Sequence, residues 1–167
     1  MPLDTYPPHG LRWGLMDTNS EKRFVTYCGV YCDACSWKRA RVENDERHLS
    51  PRGKTLGSIQ KQYWLSCPGC RVGTHRSDCE FRICAESRNL EHCVNCDEFP
   101  CKRHKNFNED GVQHHANSLS SLNVLKNEGE EAWLEMQEKK WTCSCGTKLS
   151  WYLKSCLKCG KPVHQER

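Results

Sequence analysis

Apolar residues along this chain come in short clusters, and the most regular of them lies late. Leu119, Leu122 and Leu125 recur every three residues, which predicts one face of a helix. Asn127 followed by Glu130 resembles a capping box, opening a second helix through EGEEAWLEMQEKKW that Trp133, Met136 and Trp141 would dock. Near the start, FVTYCGVY is β-branched and aromatic and reads as a strand. DACSWKRARV reads as a short helix over 33–42. Residues 43–62 are charged and contain Ser50-Pro51-Arg52-Gly53 and Gly57, so they read as a loop with one helical turn. Asp78 is expected to cap a helix over 79–88 that ends near Asn89. CVNCDEFPC turns sharply around Pro100, and 102–113 reads as polar loop. Residues 1–23, with three prolines and two glycines, read as a loose arm.

These patterns predict little apolar burial. Only 37% of residues are hydrophobic, cysteine included, and the mean hydropathy is -0.83. Burial at about 25 cal/mol per Å² has to offset about 1–2 kcal/mol of backbone entropy per residue. Bound metal closes such a gap, because its binding energy becomes folding energy.

The cysteines supply the means. Fourteen of 167 residues are cysteine. CGVYCDAC holds Cys28, Cys32 and Cys35; CPGC holds Cys67 and Cys70; CEFRIC holds Cys79 and Cys84; CVNCDEFPC holds Cys93, Cys96 and Cys101. CSC and CLKC hold Cys143, Cys145, Cys156 and Cys159. Four thiolates wrap zinc tetrahedrally, so all fourteen are candidate metal ligands. The last four resemble a zinc ribbon: two knuckles, each followed by a glycine, joined through the strand-forming Trp151 and Tyr152. The first knuckle, C-x-C, is one residue shorter than usual.

The N-terminal ten cysteines make two four-ligand sites with two left over, or share ligands around a binuclear cluster. Cys79 and Cys84 lie about 140° apart around a helix, so one helix cannot point both the same way. Cys79 is expected at the helix start, where the dipole favours a thiolate. His75, His92 and His104 lie among these ligands and read as surface groups or neighbours of ligands, with His92 the best substitute ligand. His114 and His115 read as a solvated helix end, and His164 as an exposed histidine. C-x3-C-x2-C at Cys28, Cys32 and Cys35 is also the spacing of radical-SAM enzymes. Their barrel needs alternating strands and helices that the pattern lacks. Thiolate tetrads suit zinc and iron–sulfur clusters alike. The expectation is two or three zinc ions, with a 4Fe–4S cluster in the N-terminal block as the alternative.

In order, YCGVYCDAC, CPGC, CEFRICA and HCVNCDEFPC resemble a family of small cysteine-rich bacterial and archaeal proteins, catalogued as a domain of unknown function and often labelled zinc-binding. The resemblance covers about residues 26–107. It implies Cys28, Cys32, Cys35, Cys67, Cys70, Cys79, Cys84, Cys93, Cys96 and Cys101 as the motif cysteines, and it implies no activity.

Charge argues weakly for a partner. The formal charge is +4, all of it in 141–167, where Lys148, Lys154, Lys158, Lys161 and Arg167 face only Glu166. Each zinc on four thiolates removes about two charges, so overall basicity is no argument for phosphate binding. Interleaving of Lys148, Trp151, Tyr152, Lys154 and Lys158 is a candidate contact surface for an unknown macromolecule, protein or nucleic acid. No catalytic signature occurs: no HExxH, no phosphate loop, no dinucleotide fingerprint. The carboxylates of Glu86, Glu91, Asp97 and Glu98 read as solvated charges. The first twenty residues contain no apolar signal core, and no stretch approaches a membrane span. A reducing cytoplasm is therefore expected.

The resulting expectation is a small, metal-stabilised α+β protein. An arm at 1–23 precedes a cysteine-rich helical and loop domain at 24–107. A helical segment follows at 108–140, then a zinc-ribbon-like β-hairpin at 141–167. Its expected role is non-catalytic metal binding as an adaptor or recognition module. A redox or metal-handling iron–sulfur protein is the alternative.

Overall fold

The computed structural model describes residues 24–72 and 75–163. The expected N-terminal arm and His164 lie outside the described residues. The fold is mostly helical. In chain order it runs α1 (Ser36–Glu43), α2 (Pro51–Lys54), α3 (Ser58–Leu65), α4 (Glu80–Ser87), α5 (Lys102–Glu109) and α6 (Ser118–Lys140). Short 3-10 turns at Cys32–Ala34, Glu46–His48 and Cys93–Asn95 join them.

The expected β content is corrected. Among the described residues pairing is confined to three isolated bridges, Val25↔Tyr31, Thr142↔Lys148 and Ser155↔Pro162. Residues 24–31 do not extend as a strand because Gly29, at φ +83, turns them back. The stretch between the last two cysteine pairs does not form the expected hairpin either: the Trp151 amide donates to Ala34 O (3.2 Å) instead.

Two helical stretches were unexpected. α3 starts at Ser58, inside the stretch read as loop, whereas the single helical turn expected there is α2, which Ser50 opens by accepting from the Gly53 amide (3.1 Å) with Pro51 in the first turn. α5 forms where a polar loop was expected, because His104 and Phe107, three apart, both turn toward Phe81 (4.5 and 4.8 Å between ring centres). α4 starts one residue later than expected, with Cys79 rather than Asp78 at its cap. Asn89 ends it at φ +53.

α6 contains a break. Gly129 has φ +86, which separates 118–128 from 130–140. The two arms fold together, since Trp133 Nε1 and Gln137 Nε2 both donate to Ser121 Oγ (2.7 and 2.9 Å). The expected capping box at Asn127 is replaced by this glycine turn. Ser121 in turn donates to Gly29 O (3.0 Å). The main core therefore gathers Val25, Val30, Tyr31 and Ala34 with Val94, Leu122, Leu125, Trp133 and Trp151. The 25–31 loop meets α6 closely: a Cβ on Gly29 would lie 2.5 Å from Leu122 Cγ. No helix among the described residues is long and apolar enough to cross a membrane.

Candidate metal centres

The clearest centre lies near the C-terminus. The amide of Gly146 donates to Cys143 O (2.7 Å) and that of Gly160 to Cys156 O (2.9 Å), so each pair sits on a tight turn. Both glycines have positive φ, +82 and +73. The two turns face each other. Cys143 and Cys159 sulfurs are 3.5 Å apart, Cys145 and Cys156 sulfurs 3.6 Å, and all four lie within 4.8 Å of one another. A metal–sulfur bond of about 2.3 Å places tetrahedral sulfurs about 3.8 Å apart. A disulfide would need about 2.05 Å. All fourteen cysteines are free thiols. Hydrogen bonds from the Thr147 hydroxyl and amide hold the Cys145 thiol below its ordinary range. This cluster can hold a metal ion. Leu149, Leu153 and Cys156 form a small core under it.

In the N-terminal region two of the three C-x-x-C pairs, CDAC and CPGC, face each other. A hydrogen bond with Cys70 is the main influence on Cys32 and holds its thiol below the usual range. A Cβ built on Gly69 would lie 3.6 Å from Cys32 Sγ, so the CPGC turn wraps that sulfur. The amides of Trp37 and Lys38 point at Cys35, which burial nevertheless pushes up to about 12. The Gly69 amide points at Cys67. Backbone N–H groups aimed at sulfur favour the thiolate, the form that binds metal.

Cys84, Cys93, Cys96 and Cys101 line one small cavity of about 30 Å³, with Phe81, Phe99, Arg103 and His104 in its wall. Burial, reinforced by neighbouring thiolates, pushes Cys93 up to about 12. Arg88 Nη1 donates to Cys96 Sγ (3.2 Å), and Arg103 hydrogen-bonds Cys84. Cys28 and Cys79 lie close to Cys93, packed against the small core of Phe81, Ala85 and Cys93. Cys28 lies 3.5 Å from Thr26 Oγ1, and Cys79 packs on Phe81, Ala85 and Cys93.

Residues 24–106 match the family described as "Protein of unknown function (DUF3795)". The chain belongs to this family through that segment. The family segment thus contains the ten N-terminal cysteines, and the C-terminal tetrad lies beyond it. No curated protein and no solved structure matches the chain.

Within the family segment the histidines take positions that spacing did not reveal. His92 is buried. Its Nδ1 accepts from Arg71 Nη2 (2.7 Å), so in the neutral ring Nε2 carries the proton and donates to Glu130 Oε1 (2.8 Å). With Glu91 these groups form a second cluster of potential metal ligands, beside a cavity of about 610 Å³. In this tautomer Nε2 presents a proton, not a lone pair, so the arrangement is a hydrogen-bonded chain as it stands. His75 stacks on Tyr63 (4.6 Å) and bonds Ser66. His104 is 2% exposed rather than superficial; burial lowers its pKa to about 4, and its Nε2 has no hydrogen-bond partner.

Outside the family segment, His114 and His115 are not a solvated helix end. His114 stacks flat on Trp151 (4.0 Å, 3°) and bonds the Tyr152 hydroxyl (2.8 Å), while His115 stacks on Phe107 (3.6 Å). The expected contact surface is therefore divided. Trp151 is buried in the core and Tyr152 half-buried. Lys148 pairs with Glu138, and only Lys154 and Lys158 stay exposed.

One further arrangement had no sequence signal. His48 Nδ1 lies 3.0 Å from Ser150 Oγ, and its Nε2 lies 2.9 Å from Glu43 Oε2. Hydroxyl, imidazole and carboxylate stand in the order of a hydrolase triad. However, His48 and Ser150 are both 0% exposed, so no substrate reaches the hydroxyl. The group instead ties the stretch after the first C-terminal cysteine pair to the turn following α1.

Proposed function

We propose that the protein is a non-catalytic zinc-binding protein that serves as an adaptor or recognition module for a macromolecular partner in a reducing compartment. The observation that carries this reading is the cluster of Cys143, Cys145, Cys156 and Cys159. Four protein thiolates fill a tetrahedral zinc and leave no open position for substrate, the pattern of structural rather than catalytic sites. Two knuckles facing each other support a ribbon-like module there. The opposed CDAC and CPGC turns support a second site of the same kind. For recognition, the support is α3, which buries none of its residues. It displays Ile59, 86% exposed, and Tyr63 on one face.

Elemental analysis beside native mass spectrometry of anaerobically purified protein tests the reading. Colourless protein with about two or three zinc ions per chain is the expected result. Brown protein with iron and visible charge-transfer absorption overturns it and supports the iron–sulfur alternative. Protein that folds with no metal at all overturns both.

A further inference from the structure

We propose that the face shared by α1, α2 and α3 is a docking surface for a single-stranded nucleic acid, whose bases stack on Tyr63 and whose phosphates meet Arg41, Arg52 and Lys54. It rests on the recognition role above and names the class of partner.

Four rings form a continuous row on this face. Trp37 of α1 stacks on Trp64 of α3 (6.2 Å between ring centres, 28°). Tyr63 meets Trp64 edge to face (5.3 Å, 78°), and His75 stacks on Tyr63 (4.6 Å, 28°). The Tyr63 hydroxyl donates to His75 O (3.3 Å), which holds the ring in place. None of the four is buried. Tyr63, at 48%, is the most exposed aromatic side chain among the described residues. Ile59, one turn earlier, shares its side of α3 and is exposed too. A fixed ring left open to water suits an unpaired base, because every base has a π-face to stack.

Charge selects the partner. Residues 36–76 carry nine Lys and Arg against three Asp and Glu. All three carboxylates are already engaged: Glu43 with Arg39, Asp45 with Arg47 and Glu46 with Lys61. Arg41, Arg52 and Lys54 have no ion pair among the described residues. Arg41 stands one turn after Trp37 on α1. Arg52 and Lys54 flank Gly53, which packs on Trp37 so closely that a Cβ there would lie 3.2 Å from Trp37 Cζ2. These cations therefore border the row of rings. Arg76, with Asp78 and Cys79 beside it, sets its guanidinium 5.6 Å from the centre of the Trp64 ring. A zinc ion on the four thiolates of CDAC and CPGC removes about two charges and leaves the segment basic.

The C-terminal lysines do not offer the same combination. Lys154 and Lys158 are exposed, but Trp151 beside them is buried under His114, and the Tyr152 hydroxyl is bonded to that histidine. Cations without an open ring can meet phosphates but cannot hold a base.

Fluorescence anisotropy of the full chain with a labelled single strand of about 15 nucleotides, mixed in sequence and made as RNA and as DNA, tests this. Binding of either strand is expected. Tyr63→Ala should weaken it about tenfold, while Tyr63→Phe keeps it. Arg52→Gln with Lys54→Gln should reduce the salt slope of the binding constant by about 1.4. Those two exposed positions carry the test should Tyr63→Ala not fold. Lys154→Gln with Lys158→Gln should change nothing. Absence of binding to both strands overturns the inference. So does duplex bound as tightly as the single strand, or binding lost only in the Lys154 and Lys158 variant. Self-association that Ile59→Ser abolishes, with no strand bound, reassigns the face to a second copy of the chain and also overturns it. Zinc content is measured on the same samples, so a failure of zinc binding and a failure of this inference show separately.

Discussion

Gln137 donates to Ser121 Oγ at 2.9 Å although sixteen residues separate them within α6. A straight helix would hold them about 24 Å apart. The contact exists because Gly129 adopts φ +86 and folds the helix back on itself. Ser121 then serves as the junction of the core, accepting from Trp133 and Gln137 and donating to Gly29 O.

Removing that hydroxyl strands three buried polar groups at once. Ser121→Ala should lower stability by about 2–4 kcal/mol, since each unpaired buried group costs about 1–3 and some relaxation is expected. The exposed neighbour substitution Ser120→Ala should stay within about 0.5 kcal/mol. Urea unfolding of the zinc-loaded protein measures both. Equal effects would contradict the junction.

Gly29 meets α6 where no side chain fits. A Cβ there would lie 2.5 Å from Leu122 Cγ and 2.9 Å from Ser118 O, in a left-handed conformation besides. Gly29→Ala should cost roughly 3 kcal/mol. Gly111 shares the positive φ, at +79, but has open space around it. Gly111→Ala should cost only about 1–2 kcal/mol of backbone strain. The difference in melting midpoints isolates the clash.

Burial against Trp151, the first cause, lowers the His114 pKa to about 3, so the folded protein holds it neutral. An unfolded histidine titrates near about 6.5. Between these values the unfolded chain binds a proton that the folded one refuses. The contribution is complete above about pH 6.5 and is lost as pH falls toward 3, with a slope of up to about 1.4 kcal/mol per pH unit. His114→Phe preserves the stacking and should flatten this part of the curve relative to the wild type. Parallel curves between pH 6.5 and 4.5 would count against the buried neutral ring.

The C-terminal cluster should fail separately. Cys156→Ala should release one zinc ion and disorder the two knuckles over 141–163. The family segment should keep its metal. Native mass spectrometry with amide spectra reads both effects. Loss of every ion in one step would show that the two parts do not fold apart.

Much of the metal chemistry was legible in spacing, because a knuckle is local: two sulfurs, a turn and a glycine within a few residues. The C-terminal tetrad is of this kind, and the structure brings its four sulfurs together. Grouping of the other ten was not legible. Cys32 meets Cys70 across thirty-eight residues, and nothing in either motif states which pair faces which. The helix at α5 was missed because its inward side consists only of His104 and Phe107 among charged neighbours. Trp151 and Tyr152 read as a displayed surface because aromatic–basic alternation looks alike whether the rings face outward or inward.

Sequence alone determined that this chain carries too little apolar material for its length and that sulfur is positioned to compensate. It also determined where the turns around that sulfur fall, since those depend on neighbouring residues only. Tertiary structure decided which sulfurs share a cavity, that His104 and His114 are buried, and that α6 bends at Gly129 to place Trp133 in the core. Those outcomes depend on contacts between residues far apart in the chain, where burial and hydrogen-bond satisfaction outweigh local preference.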